Sequence, residues 1–285
     1  MRLSVLGTYC EVGHRMSSPF CDLDPGPYCE PMTGDRLADA LAEATRLVQL
    51  ADARGLLLRL IGGLAVQARV PGWNVDATRA AAARRDIDLA TGRRDAPEVA
   101  RMLGEAGYQP DRHYNALYGH KQLYFVDPTN ERPVDVVVER LEMCHRLEFG
   151  PRLAADYPTL PLADLLLSKL QVVRLNPKDA RDALALLTHF PVIDRDAEGI
   201  NLGRVVEVTA TDWGWWRTVT GNLDLVLELV DDSVGPEPHD PRVQIAAIRE
   251  AIARAPKSGR WRLRARIGDR IRWYEEPEET AHERL

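Results

Sequence analysis

Apolar positions along this chain follow two periods, and the character changes near residue 155. Over 35–53, Leu37, Leu41, Ala44 and Val48 recur at helical spacing and Arg54-Gly55 follows, which predicts an amphipathic helix closed by glycine. Leu56 to Ile61 is a mostly apolar run that reads as a strand. It ends at Gly62-Gly63 and passes into Leu64 to Arg69, which suits a helix. Arg85-Asp86-Ile87-Asp88-Leu89 alternates charge with aliphatic, the pattern of a short strand with two faces. Ala96 to Ala106 reads as a helix ended by Gly107. Lys121–Val126 and the Val-rich run Pro133–Val138 read as strands joined through the turn residues Asp127-Pro128-Thr129-Asn130, the second strand being buried. From Pro161 to about Ala255 helical periodicity dominates, broken at Asn176-Pro177, Phe190-Pro191 and Gly235-Pro236. Arg260 to Ile267 then alternates strictly, and Gly268-Asp269 and Arg270-Ile271-Arg272-Trp273-Tyr274 follow, which predicts a β-hairpin with one arginine face. The expected fold class is α/β (α+β): an irregular leader over 1–33, a small mixed-sheet core over 34–155, a mainly helical domain over 156–256, and a basic hairpin with an acidic tail over 257–285.

Composition narrows the class without changing that outline. At 285 residues, 45% hydrophobic and 28% charged, the chain is an ordinary globular one with an ample core. A net charge of -6 argues against a generally basic, nucleic-acid-coating surface but leaves room for local patches. The longest apolar stretch, Leu56 to Val66, is interrupted by Arg59 and too short to cross a bilayer, so no membrane partner is expected. Met1 to Gly7 has too little apolar length for a secretion signal, and a cytoplasmic location is the expectation. Cys10, Cys21 and Cys29 crowd the leader near His14, with Cys144 far downstream. Their spacings match no usual paired-ligand zinc pattern, and reduced thiols in a loose segment are the simpler reading.

The chemistry concentrates on carboxylates. On a strand Asp86 and Asp88 point the same way. Two adjacent carboxylates resist joint ionisation unless a cation lies between them, and a hard divalent ion with oxygen ligands meets that need. Asp135, in a Val-rich strand, is costly unless paired or bound to metal. A strand, a Gly62-Gly63 turn and a helix N-terminus make a sound anion site, since glycine lets the backbone approach and free amides face the ligand. Downstream, Lys169 falls between Leu162, Leu165, Leu166 and Val173 on a helical wheel, away from the polar positions Asp164, Ser168 and Gln171. It must snorkel, join an ion pair or meet an anion. Lys169 is one of only four lysines among the 37 basic residues. Asn176-Pro177 starts the next helix, where Asp179 lies on the side of the apolar stripe and Asp182 flanks it.

Taken together, Gly62-Gly63-Leu64-Ala65, Arg85-Asp86-Ile87-Asp88-Leu89, Val134-Asp135-Val136, Ser168-Lys169-Leu170 and Lys178-Asp179-Ala180-Arg181-Asp182-Ala183-Leu184 resemble the nucleotidyltransferase superfamily with the polymerase-beta-like fold. The nearer likeness is to the AbiEii-like toxin nucleotidyltransferases of type IV toxin–antitoxin systems. The likeness spans about residues 56 to 190. The chain has Gly-Gly where the family often has Gly-Ser, and an added segment, Pro71 to Arg84, lengthens the gap to Asp86. The resemblance implies transfer of an NMP from an NTP to an acceptor hydroxyl. Asp86, Asp88 and Asp135 would hold magnesium or manganese. Gly62, Gly63, Arg85 and Lys169 would contact the nucleotide, and Asp179 or Asp182 would orient Lys169 or receive the acceptor's proton. It also implies a tRNA acceptor and a cognate antitoxin partner. The same chemistry on an aminoglycoside-type drug, and a non-catalytic relative that binds nucleotide or a partner protein, are the alternatives. The arginines of 260–272 would either grip RNA phosphates or form a solvated edge facing the acidic tail.

Overall fold

The structure, a computed structural model, describes residues 39–72, 86–230 and 238–276. The leader with Cys10, His14, Cys21 and Cys29, the segment 73–85 with Arg85, and the acidic tail beyond 276 lie outside the described residues.

Helix α1 (Ala40–Asp52) starts at Asp39, whose carboxylate accepts from Ala42 N at 2.7 Å. It ends where Gly55, at φ 71°, turns the chain so that Leu56 N reaches Ala51 O at 3.0 Å. Strand β1 (Leu58–Leu60), helix α2 (Gly62–Arg69) and strand β2 (Ile87–Thr91) follow, then α3 (Ala96–Glu105), β3 (Gln109–Pro110), α4 (Arg112–Tyr118), β4 (Gln122–Asp127) and β5 (Arg132–Val138). These strands form one mixed sheet in the order β1-β2-β5-β4-β3. Only β2 and β5 run parallel, and β5 is its central strand.

The sheet has one buried and one open face. In β4 and β5 burial alternates residue by residue. Leu123, Phe125, Val134, Val136 and Val138 point into the core with Ile87 and Leu89, while Gln122, Tyr124 and Asp135 point the other way. The Val-rich run is therefore not buried on both sides, as its composition suggested. Alternation puts Asp135 on the open face. Asp127 and Arg132, on the buried side of the β4–β5 turn, neutralise each other at 2.9 Å.

A short hairpin, β6 (Arg140–Glu142) and β7 (Arg146–Glu148), leads into the helical part: α5 (Leu162–Leu170), α6 (Pro177–His189), α7 (Leu202–Thr211), α8 (Trp213–Glu228), α9 (Pro241–Arg254) and α10 (Gly259–Ile267), with the short parallel pair β8 (Val192–Ile193) and β9 (Ile200–Asn201) between α6 and α7. One apolar cluster runs continuously from α1 and the sheet through α5, α6, α8 and α9. Helix α5 is buried nearly all round, so its expected polar face does not meet water. Asp164 and Gln171 are fully buried, and Asp164 is held by Arg152 at 2.5 Å and Arg204 at 3.0 Å. Burial raises the Asp164 pKa while the two guanidiniums pull it back.

The expected C-terminal hairpin is a helix. Ser258 caps α10 by accepting from Trp261 N at 3.1 Å, and Arg260, Leu263, Arg264 and Ile267 share one side at helical spacing. Arginine is tolerated on that side because its guanidinium can lie on an aromatic ring, as Arg264 does 4.6 Å from the Trp213 centroid. Among the described residues, no helix is long and apolar enough to cross a membrane.

Candidate active site

The site forms where the centre of the sheet meets the N-terminus of α2. Ile61 is extended, and Gly62 opens α2 at φ 69°, a left-handed conformation that glycine adopts without strain. The Asp88 side chain packs directly on Gly62. A Cβ at that position would lie 3.0 Å from Asp88 Cγ and closer still to Oδ2. The strand and turn are also tied by Ile61 N donating to Asp88 O at 3.0 Å. The N-cap residue, Ile61, offers no side-chain hydrogen bond to the first turn of α2.

Asp135 is the register partner of Asp88 across the parallel β2–β5 pair, and both carboxylates stand on the open face. Asp135 is fixed by Gln122, whose Nε2 donates to Oδ1 at 2.5 Å, and Gln122 Oε1 in turn accepts from Tyr114 OH at 3.0 Å. Burial, then the Asp135 charge, pushes the Asp88 carboxyl up to about 7, with Asp86 adding to the rise and Lys169 and Lys178 opposing it. Asp86 is exposed and just precedes β2. Its charge also bears on Tyr124, whose hydroxyl is raised by burial and by Asp135. The structure thus sets Asp88 and Asp135 side by side. Among the described residues it gathers no three His, Cys, Asp or Glu side chains into a ready metal cage.

Lys169 projects from α5 towards α6, where its ammonium lies 2.7 Å from Asp179 and 3.1 Å from Asp182. Burial works against this charge, yet the two aspartates outweigh it and hold the Lys169 pKa above the ordinary lysine value. Both Asp179 and Asp182 therefore pair with Lys169. Asp179 is itself placed by the N-cap residue Asn176, whose Oδ1 accepts from Asp179 N at 2.8 Å and whose Nδ2 donates to Asp179 Oδ2 at 2.7 Å.

Three contributors escaped the sequence reading: Lys178, Gln122 and Tyr114. Lys178 is exposed, and its Nζ would lie 3.8 Å from a Cβ on Gly63, above the glycine turn. The scarcity of lysine in this chain was the available signal for it. Gln122 and Tyr114 carry no sequence mark, since their role comes from the β4–β5 register and from α4 folding back on β4. Cys144 is buried away from this site and accepts weakly from Val173 N at 3.5 Å.

No family model matches the chain, and no curated protein matches it. Among solved structures, the chain is similar to the crystal structure of an antigenic nucleotidyltransferase-like protein from Paracoccidioides brasiliensis, at 13% identity and a TM-score of 0.37, over 78% of this chain and 95% of that one.

Proposed function

We propose that this chain is a nucleotidyltransferase that moves an NMP from an NTP to an acceptor hydroxyl. The observation that carries the reading is the pairing of Asp88 with Asp135 on the open face, directly against Gly62. Asp88 and Asp135 offer the hard oxygen donors that magnesium or manganese prefers, and an Asp88 carboxyl raised to about 7 is one that a bound cation would relieve. Asp86, just before β2, would add a third carboxylate. When bound, such an ion supplies positive charge against a triphosphate and orients it for in-line displacement. The residues of the chain do the rest. Gly62 and Gly63 let phosphate approach the backbone amides of α2, and Lys178 sets a cation above that turn. Lys169, clamped by Asp179 and Asp182, places a fixed positive charge whose field reaches Asp88. Asp135, hydrogen-bonded by Gln122, would take the proton of the acceptor hydroxyl.

The motif set supports an RNA acceptor, tRNA in particular, and a toxin-like role with a cognate antitoxin. Incubation with labelled NTPs, a divalent cation and either total RNA or aminoglycosides tests this. Label entering RNA supports the reading, and label entering the drug moves the acceptor to a small molecule. A second reading, nucleotide binding without transfer, is favoured by Lys169 being already neutralised by two aspartates. No transfer, with Asp88→Asn binding nucleotide as well as the parent, would establish that reading instead.

A further inference from the structure

Far from the carboxylates, a cavity of about 920 Å³ opens between the β6–β7 hairpin, the start of α8 and helix α10, walled by Trp213, Trp215, Trp261, Trp273 and Tyr274. Its rings are held in place. Trp261 Nε1 donates to Thr209 O at 3.2 Å, Trp273 Nε1 to Thr218 Oγ1 at 3.0 Å, and Trp215 Nε1 to Arg146 O at 3.3 Å. Trp261, Trp273 and Tyr274 line this cavity and remain half-buried. On α10, Arg260, Leu263, Arg264 and Ile267 line the cavity, and Arg262 and Arg266 project to solvent. Arg264 is spent on structure, donating to Gly268 O at 2.7 Å and Ile271 O at 2.6 Å while covering Trp213. Arg260, Arg262, Arg266 and Arg270 are exposed, and among the described residues none of them has an ion-pair partner. Most acids nearby are committed: Glu142 to Lys121, Arg140 and Arg146, Glu207 to Arg204, and Asp212 to the cap of α8.

We propose that α10 and this aromatic cavity form a binding site for single-stranded RNA. The choice of RNA rests on the nucleotidyltransferase reading above, and the site on its own geometry. Guanidiniums along one helix that have no ion-pair partner among the described residues suit a phosphate backbone, since neutralising phosphates releases condensed counterions. Held aromatic rings at the mouth of a recess suit unpaired bases, which stack without sequence preference and which a duplex keeps inside its own stack. An acidic protein would match the arginines but would leave the aromatic recess unexplained.

The test uses the full chain and a fluorescein-labelled 15-nucleotide single-stranded RNA, read by anisotropy between 50 and 200 mM KCl. The RNA should bind at least tenfold more tightly than a duplex of the same length, and more weakly as salt rises. The triple variant Arg260→Ala, Arg262→Ala, Arg266→Ala changes exposed side chains only and should melt like the parent. It should bind at least tenfold more weakly and flatten the plot of log K against log salt by about 2, at roughly 0.7 per phosphate contact. No binding at 50 mM KCl, unchanged affinity and slope in the triple variant, duplex binding as tight as single-strand binding, or displacement by polyglutamate as effective as by unlabelled RNA would each overturn the proposal. Asp88→Asn separates the two readings. Arginine-dependent RNA binding without any transfer sinks the catalytic reading alone, whereas transfer to RNA that is undiminished in the triple variant sinks this one alone.

Discussion

Replacing Gly62 by alanine is the sharpest perturbation of the proposed site, because two independent costs meet there. The residue sits at φ 69°, where an L side chain costs about 1–2 kcal/mol. The added methyl would also lie 3.0 Å from Asp88 Cγ and 3.1 Å from its Cβ, tighter than normal packing allows, so Asp88 must swing away from Asp135. Overpacking of this kind costs about 1–3 kcal/mol more, for a total of about 2–5 kcal/mol. Gly55 provides the control. It has a similar φ of 71°, yet a Cβ there meets nothing within 4 Å, so Gly55→Ala carries the backbone cost alone. Urea unfolding of the two variants should therefore differ by the clash. In an Asp88→Gly background, which removes the Cβ and the carboxylate together, the extra cost of Gly62→Ala should fall to that of Gly55→Ala. Magnesium-dependent nucleotide binding should fall sharply in Gly62→Ala and stay at parent level in Gly55→Ala. Equal stability losses in the two single variants, with no coupling to Asp88, would refute the packing of the carboxylate on the glycine turn.

Removing one member of a buried charge group leaves the others uncompensated. Lys169→Met should cost about 3–5 kcal/mol in urea unfolding by stranding Asp179 and Asp182. Lys178→Ala, at an exposed position, should change stability by under about 0.5 kcal/mol while weakening nucleotide binding, and equal stability losses in the two lysine variants would contradict these roles. Asp164→Ala should cost about 3–5 kcal/mol by unpairing Arg152 and Arg204, and a loss below about 1 kcal/mol would mean that the guanidiniums find water instead. His145 is buried against Trp215 and hydrogen-bonded to Thr218 at 2.8 Å, and burial lowers its pKa from 6.5 to about 4. The folded state therefore holds the neutral ring. The stability linked to it is complete above pH 6.5 and drains as pH falls towards 4, by about 3 kcal/mol in all. The pH dependence of unfolding should be shallower in His145→Gln by about that amount, and identical curves would refute it.

Much of the site was legible because strand alternation carries it. The Asp-Ile-Asp pattern put Asp88 opposite Ile87, and a Val-rich run with one aspartate marked Asp135, so both carboxylates fell on one face once β2 and β5 paired. Gly62-Gly63 between an apolar run and a helix marked the turn. The apolar setting of Lys169 signalled a need for counter-charge, which Asp179 and Asp182 meet. What sequence withheld depends on partners remote in the chain. Helix α4 buries no residue, so its sequence has no apolar stripe to read. Alternating arginine over 260–267 fits a strand or a helix equally in local terms. The tryptophans of α8, which let arginine stems pack, decide for the helix. The polar positions of α5 look solvent-facing on a wheel, and only Arg152 and Arg204, brought in from other segments, make burial of Asp164 tolerable.

Following the Asp88 carboxyl carbon by NMR through a pH titration, with and without magnesium, shows whether Asp88 and Asp135 share one cation-seeking site. The expected midpoint is near 7 in the free protein, displaced downward both by Asp135→Asn and by magnesium. A midpoint near the ordinary aspartate value of about 3.9, indifferent to the ion and to Asp135, would contradict it.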